Sequence, residues 1–344
     1  MTSTSPIGVI RTANVSGLGA VERELAEMHK AMLRAGGDAT RAVRLSVMTL
    51  VIACVDEEEA DRAADVVAQI AMEHPARALL VTAHRGGEEG IDADLRLECS
   101  VAGGPESQVC AEIVRLRVGG EPAGHLTSIV EPLLLPDVPV RLWLVGGPPL
   151  EQAFTETALA LVDRIVLDSD AFDDAAGTLR ALAAAMRRRQ WRLPIADLAW
   201  LRLEPWREVI ARAFDPAERR RLLSGIDSVR VRASNRASGL LGAGWLTSRL
   251  RLQPSRVSVD VEEGDGGRLP AVRIHASSPQ VATIEVGPDR DGLRARVVDE
   301  KGVHERNVPV DAPSLAELVG AGLEEGSVDS IYAEALRAAT DLAG

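Results

Sequence analysis

Residues Leu45 to Val55 form an apolar run of strand length, and a second run, Ala78 to Ala83, follows after one helix-length segment. The intervening segment opens on Asp56, Glu57, Glu58 and Glu59, which suit the positive end of a helix macrodipole. Its stripe of Ala60, Ala63, Ala64, Val67, Ile70 and Ala71 has helical spacing, and Pro75 closes it. Two strands without in–out alternation, joined by a helix, mark a parallel βαβ unit whose sheet is covered on both faces. The alternation continues downstream. Asp94–Val101 and Val109–Val118 read as antiparallel strands, His125–Leu135 as a helix and Val140–Val145 as a buried strand. A helix over Glu151–Val162, a strand at Ile165–Leu167 and a helix over Ala176–Arg189 extend it. This half is expected to be an α/β domain. Upstream, Val21, Leu25, Met28 and Met32 share one helical stripe, whereas residues 1–18, rich in Ser, Thr and Gly, read as disordered.

Beyond residue 225 the period changes to two. Val229/Val231, Val257/Val259/Val261, Val272/Ile274, Ile284/Val286 and Leu293/Ala295/Val297 each alternate with polar residues, as half-solvated antiparallel strands do. Gly264-Asp265-Gly266-Gly267, Pro288-Asp289 and Asp291-Gly292 supply turns. A helix carrying Trp245 crosses between strands, and helices near Ser314–Leu323 and Asp329–Leu342 end the pattern. A chain of 344 residues accommodates about two domains. The expected division is a disordered N-terminus over 1–18, a mostly parallel α/β domain over 19–205, and an α+β domain with an antiparallel sheet over 206–344.

A net charge of -12 argues against a general nucleic-acid or anionic-membrane binder. No apolar run reaches the ~18 residues of a membrane-spanning helix. MTSTSPIGVIRTANVSG lacks the charged segment and apolar stretch of a secretory signal, so the expected compartment is the cytoplasm. There Cys54, Cys99 and Cys110, an odd set without a CxxC pair, are expected to stay reduced. Cys54 should be buried and unreactive at the end of its apolar run.

No cofactor, metal or catalytic set is expected. Neither Lys30 nor Lys301 follows a phosphate-loop motif. Gly17-Leu18-Gly19-Ala20-Val21-Glu22 is close to a dinucleotide fingerprint, but Glu22 replaces the third glycine and no convincing strand precedes it. Gly239-Leu240-Leu241-Gly242-Ala243-Gly244 suits a closely packed helix start. The six histidines show no metal-ligand spacing; His74 is placed to cap a helix end, and no Gly-x-Ser-x-Gly elbow exists. Asp163 and Asp168 flank a buried strand where α/β proteins place ligands, yet a structural role is the stronger reading of each.

Arg187-Arg188-Arg189 and Arg219-Arg220-Arg221 read as solvated helix ends. Arg230, Arg232, Arg273, His275, Arg294 and Arg296 share the polar phase of their strands. A plain wet face is the default; the alternative is a face that recognises carboxylates on a protein partner or a sugar phosphate. Trp143 reads as core. Trp206 with Arg207, and Trp245 with Arg249 four residues on, are the partner-binding candidates, because Trp and Arg dominate binding hot spots. Core packing is nevertheless the stronger reading for both tryptophans.

The segment Asp197 to Glu208, DLAWLRLEPWRE, places Trp200, Pro205 and Trp206 in a short window of a chain with 5 Trp. Pro205 restrains Glu204, so an extended or turn-like piece should precede a helix starting near Trp206. This segment resembles the signature of the OpcA family, the glucose-6-phosphate dehydrogenase assembly proteins of actinobacteria and cyanobacteria, in its actinobacterial form. Four more segments follow the family's order: His74-Pro75-Ala76-Arg77, Val109-Cys110-Ala111-Glu112-Ile113, the run Pro132 to Trp143, and Gly244-Trp245-Leu246-Thr247-Ser248-Arg249-Leu250. The resemblance lies within residues 45–250, with only a general likeness beyond. Where the family carries paired tryptophans and Pro-Gly, this chain has Trp143-Leu144-Val145-Gly146, so a contact through the second Trp is not carried over. The resemblance implies a non-catalytic, cofactor-free protein that binds glucose-6-phosphate dehydrogenase, promotes its active oligomer and acts as an allosteric activator. That role would tune NADPH supply at the head of the pentose phosphate pathway. The rival readings are a sugar-phosphate-binding α/β enzyme using the strand ends near Gly146, Gly147 and Asp168, or a scaffold for another metabolic enzyme.

Overall fold

The computed structural model describes residues 6–35, 42–44, 46–101, 107–146, 160–187, 193–262, 270–324 and 326–343. Two units divide the chain: residues 1–167 with 315–325, and residues 168–314 with 326–344. The second unit thus begins ahead of the boundary expected at 205/206.

The first unit runs β1 (Pro6–Ser16), α1 (Leu18–Ala35), β2 (Ala42–Arg44), β3 (Met48–Cys54), α2 (Glu57–Ile70), β4 (Ala76–His84), β5 (Gly90–Val101), β6 (Ser107–Gly119), α3 (Leu126–Val130), β7 (Val140–Leu144) and β8 (Arg164–Leu167). Its strands are ordered β1-β5-β6-β4-β3-β7-β8, with β2 also paired to β6. The pairs β3–β4, β3–β7, β4–β6, β7–β8 and β2–β6 are parallel. The anticipated βαβ unit is β3–α2–β4, in register from Met48↔Ala76 to Cys54↔Thr82. Its strands are buried almost throughout, which is why they read as unbroken apolar runs. Asp56 caps α2 by accepting from the Glu59 amide at 2.8 Å, and the helix buries Ala60, Ala63, Val66, Val67 and Ile70.

Two expectations change here, and a third falls outside the described residues. Residues 6–16, expected to be disordered, form β1 antiparallel to β5, from Pro6↔Ser100 to Ser16↔Asp92. Residues 11–16 alternate half-buried and exposed, a strand period that the Ser/Thr cluster of residues 2–5 just ahead of it obscures when the N-terminus is read as one segment. A strand therefore does precede Gly17 (φ 84°), but it is an antiparallel edge strand rather than part of a parallel βαβ unit. The His125–Leu135 helix is broken into short pieces, α3 and a 3-10 turn over Glu131–Leu133 that holds Pro132 in its first turn. The helix expected over Glu151–Val162 falls almost wholly on residues 147–159, outside the described residues.

The cysteine expectation holds for one residue and fails for another. Cys54 is free and buried, and its thiol is pushed up to about 12 by burial first and by Glu59 and Glu57 second. Cys110 is disulfide-bonded, against the expectation of a reduced thiol. The β5–β6 register sets Cys99 directly across from Cys110, and opposed residues of antiparallel strands lie within the Cα separation a disulfide needs.

The second unit contains α4 (Ala175–Arg187), β9 (Ile195–Asp197), α5 (Leu198–Arg202), α6 (Glu204–Ala213), α7 (Ala217–Arg220), β10 (Ile226–Ala233), α8 (Arg236–Leu250), β11 (Val257–Val261), β12 (Ala271–Ala276), β13 (Ala282–Asp289), β14 (Gly292–Asp299) and β15 (Gly302–Pro309). The chain then contributes α9 (Leu315–Leu323) to the first unit and returns with α10 (Ser330–Leu342). The six-stranded sheet is ordered β11-β10-β12-β13-β14-β15. Only β10–β11 is parallel, because α8 crosses between them. β10 alternates as its period predicted, with Val229 and Val231 inside and Arg230 and Arg232 outside. The glycines of α8 are there for close packing. A Cβ on Gly244 would collide with the Ala335 carbonyl oxygen of α10, so no larger residue fits. Among the described residues, no helix is long and apolar enough to cross a membrane.

Candidate functional site

The Asp197–Glu208 segment is a structural knot in the second unit. It is helical earlier than expected: Asp197 caps α5 by accepting from the Ala199 amide at 3.1 Å. Pro205 sits in the first turn of α6, where its missing N–H has no intrahelical partner to lose. Arg202 bridges Asp168 at 2.6 Å and Asp170 at 3.1 Å. Asp170, raised by burial above the usual carboxylate range, also accepts from the Ser238 amide at 2.8 Å and from the Ser238 hydroxyl. Asp168 is thereby committed to an ion pair, as its structural reading anticipated. Trp200 donates from Nε1 to Asp329 at 3.0 Å, and its ring meets that of Tyr332 at 5.7 Å. Arg207 lies 3.4 Å over the centre of the Trp200 ring and donates to the Trp200 carbonyl at 2.8 Å. Burial pulls the Arg207 guanidinium down to about 10, so it remains charged at neutral pH.

At the centre, Asp197 is 1% exposed and also accepts from the Ser169 amide at 3.1 Å and the Tyr332 hydroxyl at 3.0 Å. Burial first, with nearby Asp168 and Asp170, pushes its carboxyl up to about 7, against the pull of the hydrogen bond it accepts from the Ser169 amide. A carboxyl raised in the folded protein binds its proton more tightly there than in the unfolded chain. Its contribution therefore favours the fold below the unfolded value near 3.8 and is lost as pH rises through 7. The span is on the order of 4 kcal/mol at most. We expect the melting temperature to fall between pH 5 and 8 and Asp197→Asn, which keeps an acceptor for both amides, to lose that slope. Equal slopes in both proteins would place the titration elsewhere.

In the first unit, three resemblance segments converge on one buried ion pair. Arg77 donates from Nε to Glu112 at 2.6 Å and from Nη1 to the Leu133 carbonyl at 3.0 Å. Arg77 is 8% exposed and Glu112 2%. In the sequence these residues stand out only as family markers; a charged residue in the middle of an apolar strand was the available signal. Asp163 is also structural, accepting from the Val140 amide at 2.8 Å. His74 closes α2 through its backbone, its amide bonded to the Ile70 carbonyl. Among the described residues, no cluster of three or more His, Cys, Asp or Glu is disposed to hold a metal ion.

The partner-binding candidates separate. Trp206 is 0% exposed, so an exposed role for it is corrected to a core one: α6 turns it inward against Trp245, ring centres 6.0 Å apart. Trp245 is half-buried, and Arg249 is partly exposed and paired with Glu334 of α10. Arg207 spends its charge on Trp200, as above. On the opposite side of the sheet from its buried valines, Arg230, Arg232, Arg273, Arg294 and Arg296 come together along one cleft of about 730 Å³. His275 does not line it and instead faces Thr283 at 3.3 Å. Residues that sequence reasoning missed, Asp170, Ser238, Asp329 and the chain's single tyrosine, Tyr332, carry no local pattern. They matter only through partners far along the chain.

Two family models match the chain in order, both describing a glucose-6-phosphate dehydrogenase subunit: its N-terminal domain over residues 67–184, and its C-terminal domain over residues 193–336. The match thus continues well past Leu250, beyond the general likeness expected there. Curated relatives include proteins provisionally named OxPP cycle protein OpcA. The Synechocystis protein is 30% identical over 54% of this chain and 39% of its own length, and that of Nostoc punctiforme 30% identical over 63% and 46%. The Synechococcus elongatus protein is 31% identical over 57% and 44%. The chain spans less than half the length of these relatives. Among solved structures, an NAD binding oxidoreductase from Klebsiella pneumoniae aligns over 87% of this chain and 90% of its own. Its TM-score is 0.37 and its identity 10%, too distant to carry an argument.

Proposed function

Because the chain belongs to the OpcA family, whose two domain models match it in order, we propose that it is a non-catalytic assembly factor and activator of glucose-6-phosphate dehydrogenase. It promotes that enzyme's active oligomer in the oxidative pentose phosphate pathway and so raises NADPH supply. The observation that carries this reading is the paired match to models named for domains of a subunit of that enzyme, over 67–184 and 193–336. The residues around Trp200 hold the second unit together, so the partner is gripped by groups that keep some exposure at its edge. Exposed Arg249 and half-buried Trp245 on α8 are the proposed contacts, with Trp206 supporting Trp245 from beneath; Arg207, engaged by Trp200, acts by holding that surface in place.

Mixing the purified protein with a cognate dehydrogenase should give a joint peak on size exclusion and faster NADPH formation, while the protein alone forms none. Arg249→Ala should keep its stability within ~0.5 kcal/mol, since its pair with Glu334 is at the surface. Its affinity for the enzyme should fall roughly thirtyfold, the ~2 kcal/mol of a hot spot. A cognate enzyme that neither co-elutes nor changes rate would sink the proposal, and an Arg249→Ala variant that binds as the parent does would move the contact elsewhere.

A further inference from the structure

The cleft on the open face of the six-stranded sheet is built from two rows of side chains. One row runs Arg230, Arg273, Glu285, Arg296, Glu305 across β10, β12, β13, β14 and β15, each residue directly opposite the next. Four of its charges are paired within it: Glu285 accepts from Arg273 at 2.7 Å and Arg296 at 3.3 Å, and Arg296 reaches Glu305 at 3.0 Å, while Arg230 turns to Asp260 of β11 at 3.7 Å. The adjacent row runs Arg232, Ala271, Gly287, Arg294 across the same first four strands, Arg232 opposite Ala271, Gly287 opposite Arg294, and Ala271 beside Gly287. Here two small residues form a floor between two arginines, over three strand spacings of about 14 Å in all. Gly287 keeps that floor low; a Cβ there would meet the Ala271 Cβ at 3.1 Å.

The second row has spare positive charge. Arg232 approaches Glu262 only at 3.5 Å, and Arg294 is exposed and has no ion pair among the described residues. The lining carries five arginines and two glutamates in a chain whose net charge is -12, so the local sign opposes the global one. Guanidinium groups on both sides of a shallow floor match a phosphate, which takes paired N–H donors from more than one direction. The volume, about 730 Å³, is that of a small-molecule site. Among the described residues no aromatic side chain lines it, so they provide no stacking platform for a nucleobase or a single strand. The paired glutamates retain acceptor capacity for hydroxyl groups.

We propose that this cleft binds a small phosphorylated polyol, its phosphate held between Arg232 and Arg294 and its hydroxyls facing the Glu285–Glu305 row. The site is independent of the partner contacts and is tested without the enzyme. Sorbitol 6-phosphate, inorganic phosphate, sorbitol and a polyglutamate peptide are titrated calorimetrically into the full chain at low salt. Sorbitol 6-phosphate should bind, inorganic phosphate at least tenfold more weakly, and sorbitol not at all. Arg232→Ala and Arg294→Ala should each weaken sorbitol 6-phosphate at least tenfold with unchanged melting temperature. Arg306→Ala, on the other phase of β15, should not change it. The proposal is overturned if neither phosphate compound binds at millimolar concentration, if inorganic phosphate binds as well as the ester, or if Arg306→Ala weakens binding equally. Preferential binding of polyglutamate overturns it too, by making the cleft a surface for an acidic protein segment.

Discussion

Glu112→Ala is expected to cost about 3–5 kcal/mol of folding stability, the penalty of leaving a buried charge without its partner. The Arg77 guanidinium is held inside the first unit by two acceptors, Glu112 and the Leu133 carbonyl. With the carboxylate gone, the positive charge remains in a site from which water is excluded, and its attachment to a single carbonyl does not neutralise it. Urea unfolding measures the loss directly. A paired replacement, Arg77→Met with Glu112→Leu, should recover most of it, because buried ion pairs are often matched by apolar residues of similar volume. Recovery would show that the charge, and not the shape of the site, sets the cost. A single Glu112→Ala change within about 1 kcal/mol of the parent would mean that the pair is solvated in solution and adds little.

Trp206→Ala should lose a comparable ~3–5 kcal/mol, the cost of removing a large side chain from a packed interior. Trp206 fills the space between α6 and α8: its ring meets Trp245, and a Cβ on Gly242 would come within 3.1 Å of it. Its Nε1 is buried without a hydrogen-bond partner among the described residues, so the indole N–H carries a desolvation cost that no bond offsets. Trp206→Phe, which keeps an aromatic ring and drops that N–H, should therefore cost much less than Ala. Thermal melts of the two variants separate packing from hydrogen bonding. If the alanine variant melted like the parent yet lost the dehydrogenase, Trp206 would be a contact residue and the inward placement would not hold in solution.

The same residue shows where sequence reasoning stops. Periodicity is a local property of a strand or helix. The β3–α2–β4 unit, the half-solvated strands of the second sheet, the arginine phase and the close-packed glycines of α8 are therefore all legible in the order of residues alone. Each is set by which residues alternate or recur within one segment. The OpcA signature is legible too, but only as a pattern of residue types. That Trp206 points inward, and that Asp197 meets Tyr332 135 positions away, follow from how separate segments pack. Nothing within either segment encodes the other. Strand β1 escapes a sequence reading for a related reason: the Ser/Thr run of residues 2–5 sets the character of the N-terminus, and the apolar residues that follow it become a strand because the free edge of β5 offers them backbone partners. The Cys110 disulfide likewise depends on the β5–β6 register, which no spacing rule supplies. The return of α9 to the first unit, after the whole second sheet, defeats any boundary drawn as one cut along the chain. Local period decides what each element buries; only the tertiary register decides against what.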